Sequence, residues 1–354
     1  MPRAAELSVL VVTYNHGDEI EACLDAALAQ RRDGLAVEVI VADNASQDET
    51  AARVRAREQD GVRLVEMRSN RGFAVAMNVA FRVCTGEHVL ILNPDCVMDP
   101  GCAAALRDHL VARPDVALAA ALLHDLDGSP QLHARANAGL AGILWTFTTV
   151  GRRVDASLRG GRALAARRYE DLWADGPPRE PVAVFCPAAA CVMAARRELE
   201  PAPFDERFPL FFNDGDLCAR LTAAGRGIEI VPAATAAHGY GTSVKRAQSA
   251  DPARMRAEWV ASLRRYAARH WRRPQRAALT VLLLADAVAS AALCLVHRED
   301  PREVRGTLGG LGLPGGPPPL LTPVRSVAAR RARAGAAAAP ARPPADVAPG
   351  TRPR

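Results

Sequence analysis

Lysine is nearly absent. Lys245 stands alone among 45 basic side chains, the rest being arginine, in a chain of 354 residues. With abundant alanine, this is the mark of a GC-rich genome and excludes no function. Net charge is also scarce outside one end: seven arginines and one aspartate between Arg325 and Arg354 account for the whole net charge of +6. The remainder is near neutral, so the main body carries no electrostatic footprint for nucleic acid. The eight cysteines form no C-x-x-C pair. Most lie in apolar contexts, as buried reduced thiols do. No charged and apolar leader precedes Leu7, so no secretory signal and a cytoplasmic location are expected. The length favours one large domain with appendages, or two domains.

What is present starts from Glu87–Asp95. Val89–Leu92 is an apolar run without polar alternation, the pattern of a strand buried on both faces in a parallel sheet. Asn93-Pro94 ends it, because proline cannot donate to a ladder. Asp95 then sits at the carboxyl end of a central strand, where ligands of open α/β sheets lie and where a carboxylate can hold a divalent cation. The plainer reading of Asn93-Pro94-Asp95 is a polar turn. Strands are expected at Leu7–Thr13, Val37–Ala42, Val62–Glu66, Val116–Leu123 and Ile228–Val231. Helices with an apolar stripe lie between the early ones. Ser46–Glu49 has capping-box spacing, and Asp99-Pro100 reads as a helix start. This alternation means βαβ units. With parallel strands, Asn15, Asp43, Asn70 and Asp95 face one crevice.

Residues 134–180 are rich in Gly and Arg, with isolated Trp145, Phe147, Tyr169 and Trp173, and read as a variable insert lining a pocket. Pro181–Ala195 returns to the core. Beyond Asp251, Arg254–Arg276 holds eight arginines against Glu258, with Trp259, Leu263, Tyr266 and His270 on one helical stripe. Ala277–Val296 is apolar except for Asp286 and long enough to span a bilayer. The central aspartate is costly there, which favours a helix lying in the interface or packed on protein. From Pro301 on, Pro, Gly, Ala and Arg without periodicity read as a disordered tail.

Six motifs stand in order: Val11–Asn15, Ala42–Asp48, Asn70–Asn78, Leu92–Asp95, Phe211–Leu221 and His238–Ser243. Together they resemble the glycosyltransferase family 2 pattern, nearest to the subgroup that includes bacterial rhamnosyltransferases. The resemblance covers about Leu7 to Ser243. It implies a GT-A fold: α/β, Rossmann-like, with a mixed, mainly parallel sheet flanked by helices. Residues 1–246 would be this domain, 247–300 a C-terminal helical, membrane-associated segment, and 301–354 the disordered tail.

The resemblance also implies roles. Thr13, Tyr14 and Asn15 border the nucleotide base, and Asp43 bonds base or ribose, its plainer role being a helix cap. Asn70, Gly72, Phe73, Asn78 and Asn93 shape the nucleotide–sugar pocket. Asp95 takes the metal-binding position of the family's DXD motif, with only one of its two acids present. His238 is the second ligand to Mg²⁺ or Mn²⁺, or a structural histidine. In Phe211–Asp216, Asp214 is the general base and Asp216 orients the site. The family inverts the anomeric centre. The expected donor is a nucleotide-diphosphate sugar, with dTDP-rhamnose the subgroup's example, and the acceptor is a cell-envelope or lipid-linked glycan. Peripheral contact with the inner face of the plasma membrane through residues 254–296 is part of the same expectation; nucleic acid is not a partner. Two alternatives stand beside it. A nucleotidyltransferase requires a basic triphosphate loop, and Val11–Gly17 has no Lys or Arg. A non-catalytic carbohydrate-binding relative would lose the acids at 95, 214 and 216, and all are present.

Overall fold

A computed structural model describes residues 5–131, 134–135, 148, 176–239, 251–297, 300–319 and 321. The insert residues Trp145, Phe147, Tyr169 and Trp173, the segment Tyr240–Ser243, and the tail beyond 321 lie outside the described residues.

Four strands, β1 (Leu7–Thr13), β2 (Val37–Asp43), β3 (Val62–Glu66) and β4 (His88–Leu92), pair in parallel in the order β3-β2-β1-β4. All seven residues of β1 are buried. Successive residues serve opposite layers, as the period of two demands. Leu7, Val9 and Val11 join a core with Ile20, Cys23 and Leu24 of α1 (Ile20–Ala29) and Leu106 and Leu110 of α4 (Cys102–Ala112). Leu10 and Val12 face Met77, Ala80 and Phe81 of α3 (Phe73–Val83) on the other side. Helix α2 (Thr50–Ala56) lies between β2 and β3.

The other half of the sheet comes from β5 (Cys96–Met98), β6 (Val116–His124), β10 (Cys191–Ala195) and β11 (Gly227–His238), with the short β8 (Val182–Ala183) on β11. A separate pair joins β7 (Ala134–Arg135) to β9 (Cys186–Pro187). Strand β10 runs antiparallel between β4 and β6, so β6, and β11 beside it, point the same way as β4. Helix α5 (Asn213–Ala223) packs Leu217, Cys218 and Leu221 into the α3-side core and stops before Gly225, at φ +74°.

Local expectations fail at four places. The capping box at Ser46–Glu49 does not form: Ser46 bonds Asp43, and Asp48 accepts from Thr50 N at 3.0 Å. Asp99-Pro100 does not start α4; Gly101, at φ +81°, precedes Cys102. The last strand is far longer than Ile228–Val231, because a register shift between Val231 and Thr235 takes up Pro232. The region after Pro301 is not without structure. After α6 (Pro252–His270) and α7 (Arg273–His297), α8 spans Arg302–Leu311. In the sequence its glycines counted toward a disordered tail, but here they permit close packing on α6. A Cβ on Gly306 would lie 2.5 Å from the Ala253 carbonyl oxygen, and one on Gly310 2.5 Å from Val260 Cβ.

Candidate active site

The loops after β1, β2, β3, β4 and β11 leave one edge of the sheet, bringing their polar residues to one side. Thr13 is paired in register with Asp43. The two loops lock together: Asn15, at φ +58°, donates its N–H to Ser46 Oγ at 2.9 Å and accepts Gln47 N–H at 2.8 Å. Asp43 is 2% exposed and accepts from Ser46 N–H at 3.0 Å and from its hydroxyl at 2.5 Å, so both oxygens stabilise the turn before α2. They do not cap the helix, which begins only at Thr50. Tyr14, between Thr13 and Asn15, is 37% exposed.

Asn70 accepts from Asn44 Nδ2 at 2.9 Å and from Gly72 N–H at 3.0 Å. Gly72, at φ +88°, precedes α3, and a Cβ there would sit 2.5 Å from the Pro209 carbonyl oxygen. Its missing side chain admits the chain before α5 rather than a ligand. Asn78 departs from its expected place in the pocket. It is 2% exposed, donates to the Phe204 carbonyl at 2.8 Å and accepts Phe204 N–H at 3.1 Å, and so clamps that same chain onto α3. Phe73 stacks on Phe204 at 5.5 Å between centroids.

Asn93 and Asp95 follow β4. Asn93 N–H bonds the Ala190 carbonyl at 2.8 Å, tying the turn to the approach of β10. Asp95 meets His238 because β5 and β11 pair antiparallel, with His238 opposite Cys96. The two side chains are nearly buried, with Asp95 Oδ1 3.5 Å from His238 Nε2. Burial pushes the Asp95 carboxyl up, but the neighbouring His238 and His16 rings outweigh it and hold it below the ordinary carboxylate value. Gln131 orients the histidine. Its amide nitrogen donates to Asp125 Oδ1 (2.6 Å) and to the His238 carbonyl (2.7 Å), which turns its oxygen, 3.1 Å away, to His238 Nδ1. Nδ1 is therefore the donor, and Nε2 is the nitrogen that faces Asp95.

The two acids of Asp214-Gly215-Asp216 are separated by burial. Asp216 is wholly buried, with Arg220 Nε at 3.0 Å, Arg269 Nε at 3.2 Å and His270 Nε2 at 2.8 Å. These contacts anchor α6 to the start of α5. Asp214 is half-buried, in the first turn of α5, where the helix dipole favours an anion. It accepts Gly215 N–H at 2.8 Å. Phe212 precedes α5 at φ +64°, between Trp259 (5.7 Å) and Tyr266 (5.5 Å) of α6. The stripe of Trp259, Leu263, Tyr266 and His270 thus backs this turn.

Residues 8–165 match the family model described as glycosyl transferase family 2. Over these residues the chain resembles glycosyl transferase family 2. It is similar to the succinoglycan biosynthesis protein ExoO of Rhizobium meliloti, 33% identical over 125 residues, 35% of this chain and 34% of that one. It is also similar to the N-acetylglucosaminyl-diphospho-decaprenol L-rhamnosyltransferase of Mycobacterium tuberculosis, 29% identical over 265 residues, 70% of this chain and 79% of that one. Among solved structures it resembles GalNAc-T7, solved with UDP, GalNAc and Mn²⁺, at a TM-score of 0.50 and 15% identity, covering 75% of this chain and 48% of that one. That likeness bears on the fold, which is GT-A.

The family match takes in Asp43, Asn70 and Asp95 but ends before Asp214 and His238. Sequence reasoning missed Gln131, His16, Arg220 and Arg269. Gln131 and His16 are single polar residues in loops, with no spacing to mark them. Arg220 stands four residues after Asp216, a helical ion-pair spacing that was legible. Among the described residues no group of three or more His, Cys, Asp or Glu gathers as a metal cage.

Proposed function

We propose that this chain is an inverting glycosyltransferase that moves a sugar from a nucleotide-diphosphate donor, with dTDP-rhamnose the first to test, to a hydroxyl of a cell-envelope or lipid-linked glycan. The observation that carries the reading is the Asp95–His238 pair at the polar edge of the sheet, 3.5 Å apart. A carboxylate and an imidazole nitrogen whose ring partner is held by Gln131 form a donor set suited to Mg²⁺ or Mn²⁺. Two protein ligands leave positions for phosphate oxygens and water, as in other nucleotide sites. A bound cation would supply neutralisation of charge on the departing diphosphate. The relatives support the same reading, one named as a rhamnosyltransferase acting on a lipid diphosphate and one solved with UDP and Mn²⁺.

On this reading Asp214 accepts the acceptor's hydroxyl proton as that oxygen bonds the anomeric carbon and the bond to the diphosphate breaks. A single displacement inverts the centre. Asp216 keeps the turn in place through α6. Tyr14 and Phe73 line the donor side, with Thr13, Asn15, Asp43 and Asn70 holding the loops around it. Residues 1–246 form the transfer domain, and the helices from 252 to 311 are its extension. The enzyme works on the cytoplasmic side, at the inner face of the membrane.

A panel of nucleotide sugars, assayed for release of nucleoside diphosphate with and without chelator, tests the proposal. Release from one donor, lost on chelation, restored by Mn²⁺ or Mg²⁺ and abolished in Asp95→Ala, is expected. Unchanged release by Asp95→Ala in chelator would overturn the metal role, and no release from any donor would overturn the activity.

A further inference from the structure

Helix α7 carries two opposite stripes. Leu279, Leu283, Asp286, Ala287 and Ser290 are buried, at the spacing of one helix face. Leu279 and Leu283 pack with Val260, Leu263 and Ala267 of α6. On the opposite side Val281, Leu284, Val288, Leu295 and Val296 are 65, 39, 72, 82 and 76% exposed. Exposed apolar residues in a continuous stripe mark an interaction surface. Arg272, Arg273 and Arg276, all exposed, stand at its N-terminal end. The one acid of α7, Asp286, is turned inward, 3.5 Å from Arg256. The outward face is therefore apolar along its length and cationic at one end, complementary to acyl chains bordered by anionic headgroups.

We propose that α7 lies in the interface of an anionic bilayer, its Val281–Val288–Leu295 stripe in the acyl boundary and Arg272, Arg273 and Arg276 among the phosphates. It does not span the membrane, although its apolar stretch is long enough. Spanning would strip the buried stripe from α6 and place the Asp286–Arg256 pair in hydrocarbon, where ionised groups are costly. Four of the five arginines of α6 are held within the protein. Arg256 pairs with Asp286, Arg264 donates to the Gly310 and Leu311 carbonyls, Arg265 pairs with Glu258, and Arg269 binds Asp205 and Asp216. The contact expected for residues 254–296 thus narrows to one face of α7. This surface stands on its own geometry, apart from the transfer reaction. If both hold, α6 joins the bilayer-bound helix to the turn that carries Asp214.

Flotation of the full-length chain with vesicles tests it, using phosphatidylcholine alone and phosphatidylcholine mixed with phosphatidylglycerol. The chain is expected to float with the mixed vesicles. The triple variant Val281→Ser, Val288→Ser, Leu295→Ser should bind them about a hundredfold more weakly, with unchanged nucleoside-diphosphate release on a soluble acceptor. Each of Arg272→Gln, Arg273→Gln and Arg276→Gln should weaken binding about fivefold. Equal flotation of the triple variant would overturn the proposal. So would a parent chain that ignores vesicles but sediments as a dimer which the triple variant dissociates, since the stripe would then face a second copy. Retention on vesicles after alkaline carbonate washing would refute the interfacial position.

Discussion

Replacing Asp216 by alanine and Asp214 by asparagine should separate stability from turnover. Asp216 is fully buried and meets two guanidinium groups and an imidazole within 3.2 Å. Its removal leaves Arg220 without its carboxylate partner and His270 without its acceptor, while Arg269 keeps Asp205. Breaking a buried pair costs about 3–5 kcal/mol. Here the arginine side chains are 31 and 33% exposed and can rehydrate, so about 2–3 kcal/mol is expected. For a domain of this size that lowers Tm by roughly 5–10 °C, read by calorimetry. Asp216→Asn keeps one acceptor and should cost about half as much. Asp214 is half-buried and accepts the adjacent Gly215 N–H, a bond that an amide oxygen can keep. Asp214→Asn should therefore move Tm by no more than about 2 °C while kcat falls by about 10²–10⁴ and donor binding persists. Asp216→Asn, once folded, should lose far less activity than Asp214→Asn. The reasoning is refuted if Asp214→Asn turns over at the parent rate, or if Asp216→Asn melts unchanged yet is inactive, because the roles of the two acids would then be reversed.

Gly72→Ala places a methyl against the Pro209 carbonyl at φ +88°, so a loss of about 2–4 kcal/mol in urea unfolding is expected. Gln131→Leu removes the partner of His238 Nδ1 and should weaken Mn²⁺ binding, followed by electron paramagnetic resonance, about 10–100-fold. Burial raises the Asp205 carboxyl, but its bonds and ion pairs with Arg207 and Arg269 outweigh this and hold it below its ordinary value. The depressed group contributes stability that is present above its unfolded value, near about 4, and is lost as pH falls through the lower folded value. Tm measured from neutral to acid pH should fall less steeply in Asp205→Asn than in the parent, and parallel curves would refute the assignment.

The reading of the first half survived because its signals are local. An apolar run with no alternation, as in β1 and β4, requires cover on both faces, and a helix between two such strands requires parallel pairing. Pro94 ends β4, and Asp95 is thereby left at the carboxyl edge. The same logic placed Asn15, Asp43 and Asn70 on that edge. Capping was less legible, because short polar residues near a helix start compete for the same donors. Ser46 went to Asp43, and Asp48 took Thr50.

By itself the sequence determined the alternating strands and helices, the shared polar edge and the acids that stand on it, because burial periodicity and proline stops act over a few residues. Tertiary structure alone decided the insertion of β10 between β4 and β6, since strand pairing across long separations leaves no local mark. It also decided which carboxylate of Asp214-Gly215-Asp216 is an anchor. That choice is made by His270, 54 residues further on, whose helix covers Asp216 and leaves Asp214 at the surface. The glycines of α8 changed meaning for the same reason: they counted toward a disordered tail until α6 was close enough to need their missing side chains.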